Sequence, residues 1–334
     1  MRLILALLAA SAATAETHTV IADQYHHTFS RSHAVVKRIR PGDTVATKTV
    51  DSAGFDFSGV RRTKTHGNPL TGPFFIEGAE PGDALLVRLN RVRLNRRTGY
   101  TAHRMSAGAV TPDSVPQMPG PYTEGLILPG RGDLLPWDID IERAVLRLRE
   151  PTDGRLKLEF PAAPMLGCIG VAPAGDFSPT SGPSSFYGGN MDYWEIREGV
   201  EVWLPVYHEG GLLFMGDGHA LQGHGEVIGS GVETSLDVEF TVSLRKGARI
   251  GNPRVVTPDH IISIGAVSDS SLNRGLQIAT TDLARWIESD YGVGRRAVHQ
   301  LLGMQIRYDV ATLAGAVAAK VEKKWLPAPI SRRP

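Results

Sequence analysis

Residues 187–234 gather Asn190, Asp192, Asp217, His219, His224, Glu226 and Glu233, separated mostly by glycine. Asp217 and His219 lie two residues apart, so on an extended segment both side chains project to one face and can grip one cation. His224 can return to the same ion if Gly223 and Gly225 fold the loop back. Mixed imidazole and carboxylate donors suit zinc or another first-row divalent ion, whereas a carboxylate-dominated set suits calcium. The D-x-H-x4-H-x-E string leaves a polar, glycine-rich turn as an equal alternative. With a cation present, Glu77 or Glu226 is the candidate acceptor for a proton from activated water. Ser184 and Ser185 lack the strand-elbow-helix context of a serine nucleophile. Cys168 sits in the apolar run PMLGCIGVAP (164–173) and reads as core.

The elements that must position these groups read mostly as strands. Residues 18–50 mix short apolar runs with the turn Pro41-Gly42-Asp43 and predict two or more strands. Phe74-Phe75-Ile76 and residues 84–94 predict a β-hairpin around Glu80-Pro81-Gly82-Asp83, with Glu77 where its first strand ends. Residues 99–137 read as long loops that cover a site or a subunit contact. Residues 137–160 alternate as a second hairpin, turning at Pro151 to Gly154. Strands follow at 201–206 and 212–215, the latter delivering Asp217 and His219; two more follow from Val227 onward and at 235–244. A capping Ser270 or Ser271 and the spacing of Leu272, Leu276, Ala279, Leu283 and Ile287 predict a helix ended by Gly292. A second short helix is expected at 297–304, while 310–321 is open between helix and strand. The fold class is therefore α+β and mostly β: a sandwich-like or barrel-like framework with a few helices in the C-terminal third.

Lys and Arg total 36 against 35 Asp and Glu, a formal net charge of +1, which gives no electrostatic footprint for nucleic acid. The single cysteine excludes an intramolecular disulfide. Residues 1–15 place an Arg before an apolar run and end Ala13-Thr14-Ala15, the pattern of a cleaved secretory signal. A secreted, periplasmic protein without a membrane span after cleavage is expected, with residues 16–334 forming one catalytic domain or two intertwined β subdomains. His26 and His27, without acidic partners at ligand spacing, read as ordinary histidines.

Four blocks in register carry a resemblance: GNPLTGPFFIEGAEPGD (67–83), PMLGCIGVAP (164–173), GGNMD (188–192), and GDGHALQGHGEV (216–227) with VET (232–234). Together they resemble the acetamidase/formamidase family. The resemblance implies hydrolysis of short linear amides to carboxylate and ammonia, a divalent metal, and a homodimer. It implies site membership for Glu77, Asn190, Asp192, Asp217, His219, Glu226 and Glu233. On this reading Glu77 and Glu226 supply the catalytic base, Asn190 and Glu233 bind substrate, and Asp192, Asp217, His219 and His224 hold the metal, zinc first and calcium second. The family usually has QGDGE where this chain has Gln222-Gly223-His224-Gly225-Glu226, so His224 and the leader set this chain apart. Two other readings of the same residues are a hydrolase of cyclic amides and a secreted, non-catalytic binding protein.

Overall fold

The structure, a computed structural model, describes residues 14–120, 127–129, 131–149 and 154–330. Most of the expected leader (1–15) and the expected turn at Pro151 to Asp153 lie outside the described residues. Two open sheets carry the main core. A nine-stranded sheet runs in the order Thr17–Val20, Thr44–Lys48, Leu236–Arg245, Ala84–Leu94, Glu201–Pro205, Arg254–Val256, His260–Ala266, Ala316–Glu322, Arg307–Thr312. A six-stranded sheet runs Ser184–Ser185, Gly188–Asn190, Met165–Val171, Leu213–His219, Leu70–Ile76, Lys37–Ile39. One hydrophobic cluster draws side chains from both. Phe74 of the smaller sheet meets Phe240 of the larger edge-to-face at 5.2 Å, a contact worth ~0.5–1.5 kcal/mol beyond area burial. The expected α+β, mostly β framework is present as open sheets, not as a closed barrel.

Strand pattern explains which strands lie inside. Met165–Val171 is buried at every position, as expected of an uninterrupted apolar run covered on both faces, and so is Leu70–Ile76, whose one polar residue is Thr71. Leu236–Arg245 alternates buried and half-buried residues over most of its length, as a one-sided strand does. The two helices, Leu272–Tyr291 and Arg295–Gln305, cover the larger sheet. Ser271 caps the first by accepting from the Arg274 amide. A buried Arg254–Asp282 fork, joined by the Ser263 hydroxyl, ties that helix to the sheet beneath it. No helix among the described residues is long and apolar enough to cross a membrane.

Several local expectations change. Leu70–Ile76 and Ala84–Leu94 are not a hairpin; they lie in different sheets, and the Asp83 turn carries the chain between them. The stretch expected as loop contains Thr98–Ala102 and Leu134–Asp140, which pair with each other in a four-stranded sheet completed by Val145–Leu148 and Glu159–Pro161. No strand begins at Val227, where the chain turns. The ambiguous 310–321 region is strand on both sides of a turn, within Arg307–Thr312 and Ala316–Glu322.

Candidate functional site

The site is built at one end of the six-stranded sheet. Register places Met165 opposite His219, Cys168 opposite Asn190 and Leu70 opposite Gly216, so the leading end of Leu70–Ile76 and the trailing ends of Gly188–Asn190 and Leu213–His219 converge. Asp192, Asp217, His219 and Glu233 are all buried there. Glu233 arrives on a separate segment held by backbone hydrogen bonds to Tyr100 in both directions. Glu226 comes from a turn docked on the edge strand Arg307–Thr312 through Gly225 N to Val310 O at 2.8 Å.

Two triads emerge, Asp192–His219–Glu226 and Asp217–His219–Glu233, each with its donor atoms within 4.8 Å of one another. Hydrogen bonds fix the tautomer of the shared imidazole. The Gln222 amide nitrogen donates to the carbonyls of Asp192 (2.6 Å) and Ala311 (3.2 Å). Its oxygen therefore faces His219 Nδ1 at 2.8 Å, and Nδ1 is the donor. Nε2 is left facing Glu233 Oε1 at 3.1 Å and Asp217 Oδ2 at 3.5 Å, without the alignment of a hydrogen bond. Asp192 Oδ1, Asp217 Oδ1, His219 Nε2 and Glu233 Oε2 are all buried without a hydrogen-bond partner. Buried polar atoms are normally satisfied, and these acceptor-type orphans, with Asp217, His219 and Glu233 in one triad and Asp192 in the other, fit a cation.

Backbone geometry packs this set closely. Gly167 lies between two of the acids: a Cβ there would stand 2.5 Å from Asp192 Oδ1 and 2.6 Å from Asp217 Oδ2. At Gly231 a Cβ would stand 2.6 Å from the His219 ring. Asn68, Asp192, Asp217 and Glu226 all have φ between 44° and 55°, a conformation uncommon outside glycine and concentrated at functional sites.

The electrostatics follow from burying acids together. Burial, then Glu226 and Asp217, raises the Asp192 carboxyl well above its ordinary value. Burial, partly offset by His219, pushes Glu233 up to about 8. Glu226 is also raised by burial, with His219 opposing. Burial pulls His219 down, but Glu233 and Asp217 outweigh it and hold the imidazole above its usual range. Burial drives the Cys168 thiol well up, in keeping with a core residue. Thr312 Oγ1 donates to Glu226 Oε2 at 2.8 Å, fixing that side chain at the wall of a cavity of about 620 Å³.

Of the residues singled out from sequence, Asp192, Asp217, His219, Glu226, Glu233 and Asn190 are brought together. Glu233, expected to bind substrate, stands in the triad with Asp217 and His219 that could hold a cation. Asn190 donates to Asp192 Oδ2 at 2.6 Å and accepts from Asn68, which also reaches Asp217 Oδ2. Glu77 and His224 are not brought in. Glu77 is exposed past the far end of Leu70–Ile76, nine residues beyond Asn68, roughly 30 Å along an extended chain. His224 is exposed and stacks on Trp194 at 3.6 Å. Asn68, Gln222, Thr312, Gly167 and Gly231 complete the site. Asn68 and Gln222 stand inside the blocks quoted above, whereas nothing in the sequence links Thr312 to Glu226.

The sequence model of the acetamidase/formamidase family matches residues 14–181 and 178–284. The chain is 26% identical over 269 residues to a formamidase of Methylophilus methylotrophus, covering 67% of this chain and 64% of that one. It is 27% identical over 221 residues to an acetamidase of Mycolicibacterium smegmatis, covering 53% of each. The chain thus spans between about half and just under two thirds of these relatives. The crystal structure of an acetamidase from Yersinia enterocolitica superposes with a TM-score of 0.74 at 26% identity, covering 95% of both chains.

Proposed function

The chain belongs to the acetamidase/formamidase family, and from that premise we propose that it hydrolyses a linear carboxamide to the carboxylate and ammonia by attack of activated water. The observation that carries the reading is the set of four buried, unpartnered acceptor atoms on Asp192, Asp217, His219 and Glu233, beside a cavity lined by Glu226. The Asp217–His219–Glu233 triad, with Asp192 beside it, would hold a divalent cation; the His219 imidazole argues for zinc and the surrounding carboxylates for calcium as the second choice. When bound, the cation supplies Lewis acidity toward the amide carbonyl and lowers the pKa of water.

The remaining work falls to the chain's own groups. Glu226, held by Thr312, accepts the proton of the attacking water and returns it to the leaving nitrogen; burial keeps its carboxyl basic enough for both transfers. Gln222 holds His219 with its Nε2 toward the cation position. Asn190 orients Asp192, and Asn68 orients Asp217 while also donating to Asn190 Oδ1. We further infer export, from the leader-like residues 1–15, and a homodimer, as the family resemblance implies; the mass of the secreted chain and its sedimentation test these.

Ammonia release from formamide and acetamide tests the reaction. Glu226→Gln is expected to lower kcat by about 10²–10⁴, the usual range for loss of a general base, with the fold retained. Glu77→Gln should stay within about twofold of the parent, since a surface carboxylate away from the site contributes little. The reverse pattern sinks the assignment of the base, and the absence of turnover with every amide sinks the reaction.

A further inference from the structure

The cavity beside the buried acids is far larger than the smallest amides require. Acetamide has four non-hydrogen atoms; at the ~30 Å³ that a water occupies in the liquid it fills about 120 Å³. The cavity measures about 620 Å³. Its lining is also mixed. Asp192, Asp217, Glu226 and Glu233 line it together with the apolar residues Ala53, Tyr100, Ala102, Leu128 and Leu134, and Glu233 meets this apolar wall where it pairs with Tyr100.

That wall is fixed. Alternation along Thr98–Ala102 turns Tyr100 and Ala102 to the same face. The Tyr100 hydroxyl is occupied by Ser52 Oγ at 2.9 Å and the Ala53 amide at 3.0 Å. The polar end of the side chain is thereby consumed and its ring is left to the cavity. Behind Ala53, the Asp51 carboxylate accepts from the Ala53 and Phe55 amides and from a buried Arg96 guanidinium at 2.6 Å. Arg131, at the cavity rim, is held in a two-point fork by Asp133. Its charge is matched within the protein, so Arg131 offers no free charge to an acidic substrate tail. Preformed apolar walls with a few convergent polar groups are the usual form of a site for a mid-sized organic ligand.

We propose that the substrate class is a primary carboxamide with an uncharged apolar acyl group of about five to eight carbons, its carboxamide at Glu226 and its hydrocarbon against Tyr100, Ala102 and Leu134. The inference rests on the amidase reading above. Each buried methylene contributes ~0.8 kcal/mol, about fourfold in kcat/KM.

The experiment is a kcat/KM series on the metal-loaded protein with acetamide, butanamide, hexanamide and benzamide. Calorimetric binding of hexanoate against acetate accompanies it as a readout independent of turnover. The expected result is a rise of roughly fourfold per methylene, on the order of 10² from acetamide to hexanamide, with hexanoate binding tighter than acetate. Ala102→Phe, or Leu134→Trp if the first does not fold, should fill the wall and collapse the hexanamide-to-acetamide ratio by tenfold or more. Turnover of acetamide with a flat or falling series overturns this inference and leaves the amidase reading standing. No turnover of any amide overturns both.

Discussion

Replacing Gly167 by alanine adds one methyl group to the most crowded point of the site. The new Cβ would stand 2.5 Å from Asp192 Oδ1, 2.6 Å from Asp217 Oδ2 and 3.0 Å from the Asp217 carbonyl oxygen, where ordinary contact begins at 3.4 Å. Each carboxylate oxygen must retreat by nearly 1 Å, and the strand Met165–Val171 is buried at every position, so the backbone has little room to move instead. Two consequences separate cleanly. The folding penalty is that of overpacking, about 1–3 kcal/mol. With ~2.1 cal/mol/K per residue over 334 residues, the unfolding entropy is about 0.7 kcal/mol/K, and Tm falls by only about 1–4 °C. The functional penalty is far larger, because a 1 Å misplacement costs about 10²-fold in rate and two donors are displaced together. The expected Gly167→Ala protein is folded, binds zinc at least tenfold more weakly by calorimetry, and has kcat/KM reduced by about 10² or more. A folded variant with parental zinc affinity and kcat/KM within threefold would refute the claim that Asp192 and Asp217 converge on one ion. Should the variant fail to fold, Asp192→Asn, which keeps the shape and removes the charge, tests the same claim.

Dialysis against a chelator should abolish ammonia release and lower Tm, since an ion present at 1,000 times its Kd stabilises by ~4 kcal/mol; zinc should restore both, and an unchanged melt speaks against the cation site. His26, stacked on His33 at 3.8 Å, has its pKa lowered to about 4 by burial and then by His33 and His27. The unfolded chain therefore binds more protons than the folded one between about pH 6.5 and 4. The contribution is fully present above pH 6.5 and is lost as pH falls toward 4; urea midpoints at pH 7.5 and 4.5 should differ less in His26→Gln, and an equal difference refutes the assignment. Gly303, exposed in the Arg295–Gln305 helix with open space where a Cβ would go, should gain about 0.5–1 kcal/mol on replacement by alanine, read as a raised urea midpoint.

Local pattern made most of the elements legible. Ser271 and Gly292 bound the long helix as capping chemistry requires, and 164–173 reads as a buried strand because nothing polar interrupts it. What pattern cannot carry is which sheet a strand joins. Leu70–Ile76 and Ala84–Leu94 have the spacing of a hairpin, yet the first pairs with Lys37–Ile39 and Leu213–His219 and the second with Glu201–Pro205 and Leu236–Arg245, in separate sheets. Glu77 is a candidate from its strand-end position and its place in a quoted block, but the strand delivers it at the end of the sheet opposite the acids. His224 departs for a different reason. Its i+5 spacing from His219 allows a return to the ion, but Gln222 spends its amide on Asp192 and Ala311 and anchors the loop before His224 is reached. Spacing limits what a side chain can touch; the hydrogen bonds of the intervening residue decide it.

The backbone at the site argues that position, and not composition alone, is what the fold maintains. Eight non-glycine residues have positive φ among those described, and Asn68, Asp192, Asp217 and Glu226 are four of them, with Ser270 at the cavity wall a fifth. Such conformations cost of order 1–2 kcal/mol each for most residues and somewhat less for Asn and Asp. Glycine would relieve the strain at any of these positions, but it would remove the carboxylate or amide that the site requires. The strain is tolerated because each residue is over-determined by its neighbours: Asp217 by the paired strand positions Leu166–Gly218 and Cys168–Gly216 on either side, Glu226 by Gly225 on the edge strand and by Thr312, and Asp192 by its amide on the Gly167 carbonyl. The scaffold thus holds acids in places that neither their charge nor their backbone favours, and a cation bound beside their unpartnered oxygens, as proposed above, would supply the balancing attraction.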